Sequence, residues 1–98
     1  MKSKDVIYIA DIDQDIDDII AADYLHSSGR LMGVVLDPLP ISDLGKQRVE
    51  KLKEMGIEIF EEVPECNYVF VGGAFTKLAK YLESHFAVTV VANGGSVS

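Results

Sequence analysis

Five short apolar runs alternate along the chain with stretches whose apolar residues recur every three or four positions. The runs cover residues 6–10, 31–36, 57–60, 68–71 and 87–92. A run without polar interruption, such as the first, is typical of a strand buried on both faces of a sheet. The pattern therefore predicts five strands separated by helices and short connections, with a polar connector over 61–67.

Three helices are predicted between these runs. The first follows an acidic segment and ends at 27–29, with an apolar face made of Ile16, Ile19, Ile20 and Tyr24. The second begins at Ser42 or Asp43, either of which can cap it, and stops at Gly56. Its apolar face consists of Val49, Leu52 and Met55. The third helix has an apolar face made of Phe75, Leu78, Ala79, Leu82 and Phe86.

Buried strands that alternate with amphipathic helices favour βαβ units and a parallel sheet. We predict one α/β domain over residues 1–98, with a Rossmann-like parallel sheet of about five strands flanked by helices. The carboxyl ends of parallel strands share one edge of the sheet, where open α/β sheets bind their ligands. The residues that follow the strands and would meet there are Asp11, Asp13, Asp37, Gly72, Gly73, Asn93 and Gly94.

The overall charge and the cysteine content narrow the class of protein. A formal net charge of −7 argues against binding to nucleic acid or to an anionic membrane, because both require basic patches. The single cysteine, Cys66, cannot form an internal disulfide and lacks a visible activating partner. No apolar run approaches the ~20 residues of a membrane span, and the start of the chain lacks a signal-peptide core. These features predict a soluble, cytoplasmic protein.

The acidic segment over 11–18 holds five aspartates within eight positions. At ~5 Å and an effective dielectric constant near 20, each close pair repels by roughly 3 kcal/mol. A domain of this size has only ~5–15 kcal/mol of stability, so the segment must splay into water, hold a proton or bind a cation. Ca²⁺ and Mg²⁺ prefer carboxylate oxygens, which makes a divalent cation the leading hypothesis. A solvated acidic start of a helix, without a metal, is the alternative.

Two known kinds of acidic site fit the segment incompletely. An EF-hand loop that began at Asp11 would need Gly at its sixth position and Glu at its twelfth, where this chain has Ile16 and Ala22. A haloacid-dehalogenase-like phosphohydrolase also begins with Asp-x-Asp after its first strand. In that case Asp11 would be the nucleophile and Asp13 the acid/base, with Mg²⁺ bound. The expected turn after Asp13 and a clear downstream lysine are missing, so this remains the weaker alternative.

A third kind of acidic site fits the segment better. The pattern Asp-x-Asp-x-x-x-Asp-Asp, between a buried strand and an Ile/Ala-rich helix, resembles the opening of the inosine–uridine nucleoside hydrolase family. It is formed by Asp11, Asp13, Asp17 and Asp18 without a gap. Similar pieces follow in the family's order at 33–37, 73–79 and 90–95. The resemblance covers most of this chain but only the N-terminal part of a family member, so the chain looks like a truncated homologue.

The resemblance implies roles for the residues of a calcium site. Asp13 would ligate Ca²⁺ and orient or deprotonate the attacking water, and Asp18 would be a bidentate ligand. Asp11 would lie beneath them as a supporting hydrogen-bond partner and would also belong to the metal site. Mg²⁺ is the alternative cation.

Ribose would be bound by Asp17, by Asp37 in place of the family's Asn, and by Asn93, which is a candidate by position only. The family's later Ca²⁺ ligands and its late catalytic histidine have no counterpart, and His26 and His85 fall in or beside predicted helices. We therefore expect a Ca²⁺- and nucleoside-binding domain whose N-ribosyl hydrolysis is weak or lost. A non-catalytic binding or assembly module is the alternative. A homodimer is also expected, since this chain lacks structure that would cover its sheet.

Overall fold

The described chain alternates strands and helices in the predicted order. The computed structural model describes residues 4–13, 17–37, 39–85 and 87–92, and for Asp17, Asp18 and Ala92 it describes the backbone alone. The elements are β1 (Val6–Ala10), α1 (Asp17–Ser27), β2 (Leu31–Leu36), α2 (Asp43–Glu54), β3 (Ile59–Phe60), β4 (Tyr68–Val71), α3 (Thr76–Leu82) and β5 (Thr89–Ala92).

All five strands run parallel in one sheet, in the order β3-β2-β1-β4-β5. The central strand β1 pairs with β2 on one side and β4 on the other, so that Tyr8 lies between Val34 and Phe70. Every residue of β1 is buried, as its uninterrupted apolar run predicts. The predicted α/β class, with a Rossmann-like parallel sheet of five strands, is confirmed.

Alternate residues of β1 divide the core into two layers. Tyr8 packs in the cluster that contains Ala22 of α1 and Leu52 of α2. Ile7 and Ile9 point to the opposite face, where they share a cluster with Leu78 of α3. Two helices therefore cover one face of the sheet and the third covers the other. This arrangement leaves the carboxyl ends of the strands at a common edge.

The ends of α2 follow the predicted signals. Of the two predicted caps, Ser42 is the one used, because its Oγ accepts a hydrogen bond of 2.9 Å from the amide of Gly45. Gly56 ends the helix with φ at +84°, a left-handed conformation that glycine adopts without strain. The predicted core contact of this helix, Leu52, is fully buried.

The predicted apolar face of α1 is wrong at two positions. Ile20 is 61% exposed and Tyr24 is 75% exposed. The helix instead buries the small Ala22 against the sheet and half-buries Ile19 and Leu25 beside it. Packing through a small residue brings the helix close to the sheet and turns the two larger side chains outward. Ile16, which also belonged to the predicted face, lies outside the described residues.

Three other elements are shorter than predicted. The strand β3 omits residues 57 and 58, because the amide of Ile57 still donates to Leu52 in the turn that ends α2. The strand β5 starts only at Thr89, whose amide donates to Asn67. In α3, Phe75 precedes the helix and is exposed, and Ala79 is also exposed, while Phe86 lies outside the described residues.

Within the described part of the chain, no helix combines the length and the apolar character that crossing a lipid bilayer requires.

Candidate functional site

The chain adds strands first on one side of β1 and then on the other, so the sheet has a topological switch point next to β1. The candidate site lies at the carboxyl edge of the sheet beside this point. From β1 the chain builds outward to β2 and β3, and then returns to the other side of β1 with β4. A crevice forms at such a switch point in open α/β sheets, outside the strand ends. The residues that leave β1 and β4 there are Asp11 and Gly72. The topology therefore places the start of the acidic segment where this class of fold binds ligands.

Gly73 is where three loops of this edge meet. Its amide and that of Gly72 donate to the carbonyl of Ile9, at 3.1 and 2.8 Å. A Cβ added at Gly73 would lie 3.0 Å from the amide nitrogen of Asp11 and would overlap the carbonyl oxygen of Asp37. Glycine is needed here for close backbone approach, which the Gly-Gly pair signalled only weakly in the sequence.

Asp13 is held by the start of α2. Its Oδ1 accepts hydrogen bonds from the hydroxyl and the amide of Ser42, at 2.5 and 3.2 Å, and its Oδ2 accepts one of 2.7 Å from the amide of Ile41. The Ser42 hydroxyl, followed by the Ile41 amide, lowers the pKa of Asp13 below its usual value. The carboxylate is therefore charged at neutral pH and fixed in orientation.

Arg48, nearly two turns further along α2 than Ser42, ties the same loop to the helix. Its Nη1 donates a hydrogen bond of 2.7 Å to the carbonyl of Ile12, and its charge contributes to the lowered pKa of Asp13. The sequence does not point to Arg48, and it predicts only a capping role for Ser42. Both residues are far from Asp13 in the sequence, so no local spacing could have revealed the contact.

Asp37 is buried, with 7% of its surface exposed, and it binds the start of α3. Its Oδ2 accepts a hydrogen bond of 2.8 Å from the amide of Lys77, and its carbonyl accepts one of 2.8 Å from Ala74. Its own amide donates to Ala10 at 3.1 Å. A carboxylate at a helix N-terminus is stabilised by the unpaired amides and the helix dipole. Asp37, which is predicted to bind ribose, therefore uses at least one carboxylate oxygen to hold the start of α3.

The remaining predicted ligands are placed only in part. Asp11 is half-buried directly after β1, and its Oδ1 is shielded from solvent. Asp17 and Asp18 form the start of α1, and their side chains are outside the description. Asn93 and Asp15 also lie outside the described residues, while Asp23 is exposed as expected.

A cation requires more ligands than the described side chains supply. Among them, no group of three or more His, Cys, Asp or Glu residues is arranged to hold a metal ion. Asp13 and Asp11 nevertheless offer the hard carboxyl oxygen donors that Ca²⁺ prefers. The donor chemistry of these two residues fits this cation.

The other reactive side chains lie elsewhere. His26 and His85 are at the carboxyl-terminal ends of α1 and α3, which lead away from the candidate edge. His85 stacks on Tyr81, with 4.1 Å between ring centroids. Cys66 is buried, and burial raises the pKa of its thiol, which keeps it protonated at neutral pH.

At this edge Gly73 lies against the backbones of Asp11 and Asp37. Asp13 is held instead by Ser42 at the start of α2, and Arg48 of that helix binds the neighbouring Ile12. Comparisons of the chain with protein-family models, with curated proteins and with solved structures found no match. The resemblance to nucleoside hydrolases therefore stays a prediction.

Proposed function

We propose that the chain binds a ribose-containing small molecule of the nucleoside class at the carboxyl edge between β1 and β4, together with Ca²⁺. The position of Asp11 and Asp13 at the switch point of the sheet carries this proposal. Their carboxyl oxygens suit both a hard cation and sugar hydroxyls. The close approach of Gly73 keeps the loops that follow β1, β2 and β4 together at this edge.

The cation site would consist of Asp13 and Asp18, supported by Asp11, and Mg²⁺ is the alternative ion. A bound divalent cation would offset the mutual repulsion of the acidic segment and polarise a water or a ribose hydroxyl. Asp17 and Asp37 would then accept hydrogen bonds from the ribose, with Asn93 beside them. One oxygen of Asp37 already accepts a hydrogen bond from the amide of Lys77, so its remaining acceptor sites would bind the ribose.

Hydrolysis of the N-ribosyl bond is proposed to be very slow or lost. A general base works best with a pKa near the operating pH, and the pKa of Asp13 is lowered instead. Help for the departing base is commonly worth about 10²–10⁴-fold in rate. Both histidines are placed at helix ends that lead away from the edge, where they cannot give that help.

The phosphohydrolase alternative is less favoured by the same geometry. It requires Asp13 to carry a proton as a general acid, whereas three hydrogen bonds stabilise its charged form. A candidate for a phosphate-binding lysine is Lys77, whose amide binds Asp37, but its amine donates to the carbonyl of Glu61 at 2.7 Å.

Ligand-dependent stability tests the binding proposal. Ca²⁺ at a hundredfold excess over its dissociation constant should stabilise the fold by about 2.7 kcal/mol in thermal melts. Asp13→Asn should abolish this shift, whereas Asp23→Asn, at an exposed position on α1, should keep it. Adding inosine with Ca²⁺ should raise the melting temperature further. Equal melting temperatures in Ca²⁺, Mg²⁺ and EDTA would refute the cation site.

A turnover assay tests the proposed weakness of catalysis separately. Inosine and uridine should be hydrolysed very slowly or not at all by a high concentration of the protein with Ca²⁺ present. Turnover that is fast in the wild type and absent in Asp13→Ala would show a working hydrolase instead.

We also propose that the chain forms a homodimer through β5. Along its described residues this strand pairs with β4 alone, and its Val90 and Val91 are 39% and 40% exposed. An open strand edge with apolar side chains favours pairing with another strand. Light scattering should show a dimer that Val91→Lys dissociates. A monomer at all concentrations from micromolar to millimolar would contradict this.

We propose a cytoplasmic location because the single cysteine, Cys66, is free and buried. A reducing compartment suits such a thiol. Fractionation of cells that produce the untagged protein would test this location.

A further inference from the structure

We propose that Ser42 is a positioning residue, which fixes the Asp13 carboxylate in one orientation for ligand binding. The ligand-binding part of this inference rests on the proposed function. The orientation itself rests on the contacts between the loop after β1 and the first turn of α2.

The Ser42 hydroxyl is held by two hydrogen bonds, one that it accepts and one that it donates. It accepts the hydrogen bond from the amide of Gly45 at 2.9 Å, and it donates its single proton to Oδ1 of Asp13 at 2.5 Å. The first contact belongs to the rigid start of a helix, so the direction of the donated proton is set by α2. Ser42 thereby transfers the geometry of the helix to a carboxylate on another loop.

The described donors divide unequally between the two oxygens of Asp13. Oδ1 receives both the hydroxyl and the amide of Ser42, whereas Oδ2 receives only the amide of Ile41. An ionised carboxylate has about four lone-pair sites, two on each oxygen. Oδ2 is therefore the oxygen that the arrangement presents to a cation or a sugar hydroxyl. Ligating carboxylates are commonly held by such neighbouring hydrogen bonds.

Two further residues keep α2 close enough for this contact. A Cβ added at Gly45 would overlap Oδ1 of Asp13 and would lie 2.9 Å from the Cβ of Pro40. Arg48 donates to the carbonyl of Ile12, next to Asp13, at 2.7 Å. The helix and the loop are thus matched over three successive contacts, which a capping serine alone does not require.

Two variants of Ser42 separate positioning from helix capping. Ser42→Gly removes the donated proton but leaves a residue that is well tolerated at a helix N-cap. Ser42→Thr keeps the hydroxyl and the cap. The orientation of Asp13 is read without any ligand, from the three-bond couplings between its Hα and Hβ protons by NMR. Affinity is read by calorimetry with Ca²⁺ alone, and circular dichroism confirms that α2 is intact.

The wild type and Ser42→Thr should show couplings of a single Asp13 rotamer, and Ser42→Gly should show averaged couplings. Ca²⁺ affinity should fall about tenfold in Ser42→Gly and return in Ser42→Thr. Gly45→Ala should reproduce the averaged couplings with the hydroxyl still present.

Three outcomes separate this inference from the proposed function. Unchanged couplings in a folded Ser42→Gly would overturn the positioning role. Averaged couplings with unchanged Ca²⁺ affinity would overturn its relevance to binding. A wild type that binds no Ca²⁺, but whose couplings respond as expected, would refute the proposed cation site and support Ser42 as the residue that orients Asp13.

Discussion

Replacing Gly73 by alanine tests how tightly the candidate edge is packed. The three atoms nearest to the added methyl group would all be backbone atoms, namely the carbonyl oxygen of Asp37, the carbonyl carbon of Ala10 and the amide nitrogen of Asp11. Backbone atoms of three joined loops cannot rotate away as a flexible side chain would. The loops must therefore separate, and the hydrogen bonds between them must lengthen.

The size of the effect follows from these contacts. Overpacking costs about 1–3 kcal/mol. Two backbone hydrogen bonds of Asp37, from Ala74 at 2.8 Å and to Ala10 at 3.1 Å, join the same loops. Each contributes about 0.5–1.5 kcal/mol, so partial loss of both brings the total to about 2–4 kcal/mol. For a domain of this length the melting temperature should fall by about 8–30 °C.

Chemical denaturation followed by circular dichroism measures this loss, with Gly29→Ala as the matched control. Gly29 has open space around its added Cβ but a φ of +82°, so alanine there meets strain in the backbone alone. That strain costs about 1–2 kcal/mol. Gly73→Ala should destabilise the protein more than the control and should also weaken any Ca²⁺ or nucleoside binding. A loss of free energy of unfolding below that of Gly29→Ala would refute the close packing of the three loops.

Two further changes probe the core and the opposite edge of the sheet. Leu52→Ala should lower the free energy of unfolding by about 2–5 kcal/mol, because the side chain is fully buried. The exposed Leu44→Ala on the same helix should change it by no more than about 0.5 kcal/mol in the same denaturation experiment. The hydrogen bond and charge of Arg30 lower the pKa of Asp5. Their ion pair therefore contributes its full stability at a pH above the usual Asp pKa of about 4. This contribution is lost as the pH falls through the lowered pKa of the folded state. The stability difference between wild type and Asp5→Asn should therefore be constant near neutral pH and shrink in acid; a difference that grows below pH ~4 would contradict the assignment.

The central sheet could be predicted because its signals are local. The strand β1 is buried on both faces, so each of its residues is apolar and its bounds can be read directly. Ser42 and Gly56 mark the ends of α2 through their own side chain or backbone. Tyr24 was misassigned because helical spacing identifies a stripe of residues but not which stripe the sheet covers. Here Ala22 faces the sheet instead.

The chemistry of the edge could be predicted only as a collection of residues. Asp11, Asp13 and Asp37 were expected to meet there, and the strand order brings them to that edge. What each carboxylate binds depends on contacts across the fold, such as that between Asp13 and Ser42. Those contacts come from the docking of helices, which leaves no periodic trace in the sequence.

The strand order also divides the chain into two consecutive halves that share one seam. The first half contains β1, β2 and β3, and the second contains β4 and β5, with a connector between them that has no helix or strand. Among the described residues, the seam is closed at the candidate edge by the pairing of β1 with β4 and by the contacts of Gly73 and Asp37. Pairing β1 with β4 closes a longer loop than pairing β1 with β2, so we expect each half to gain its local contacts first during folding. In that order the carboxyl edge would form when the two halves dock, and we expect a chain cut within the connector to regain it only when both halves associate.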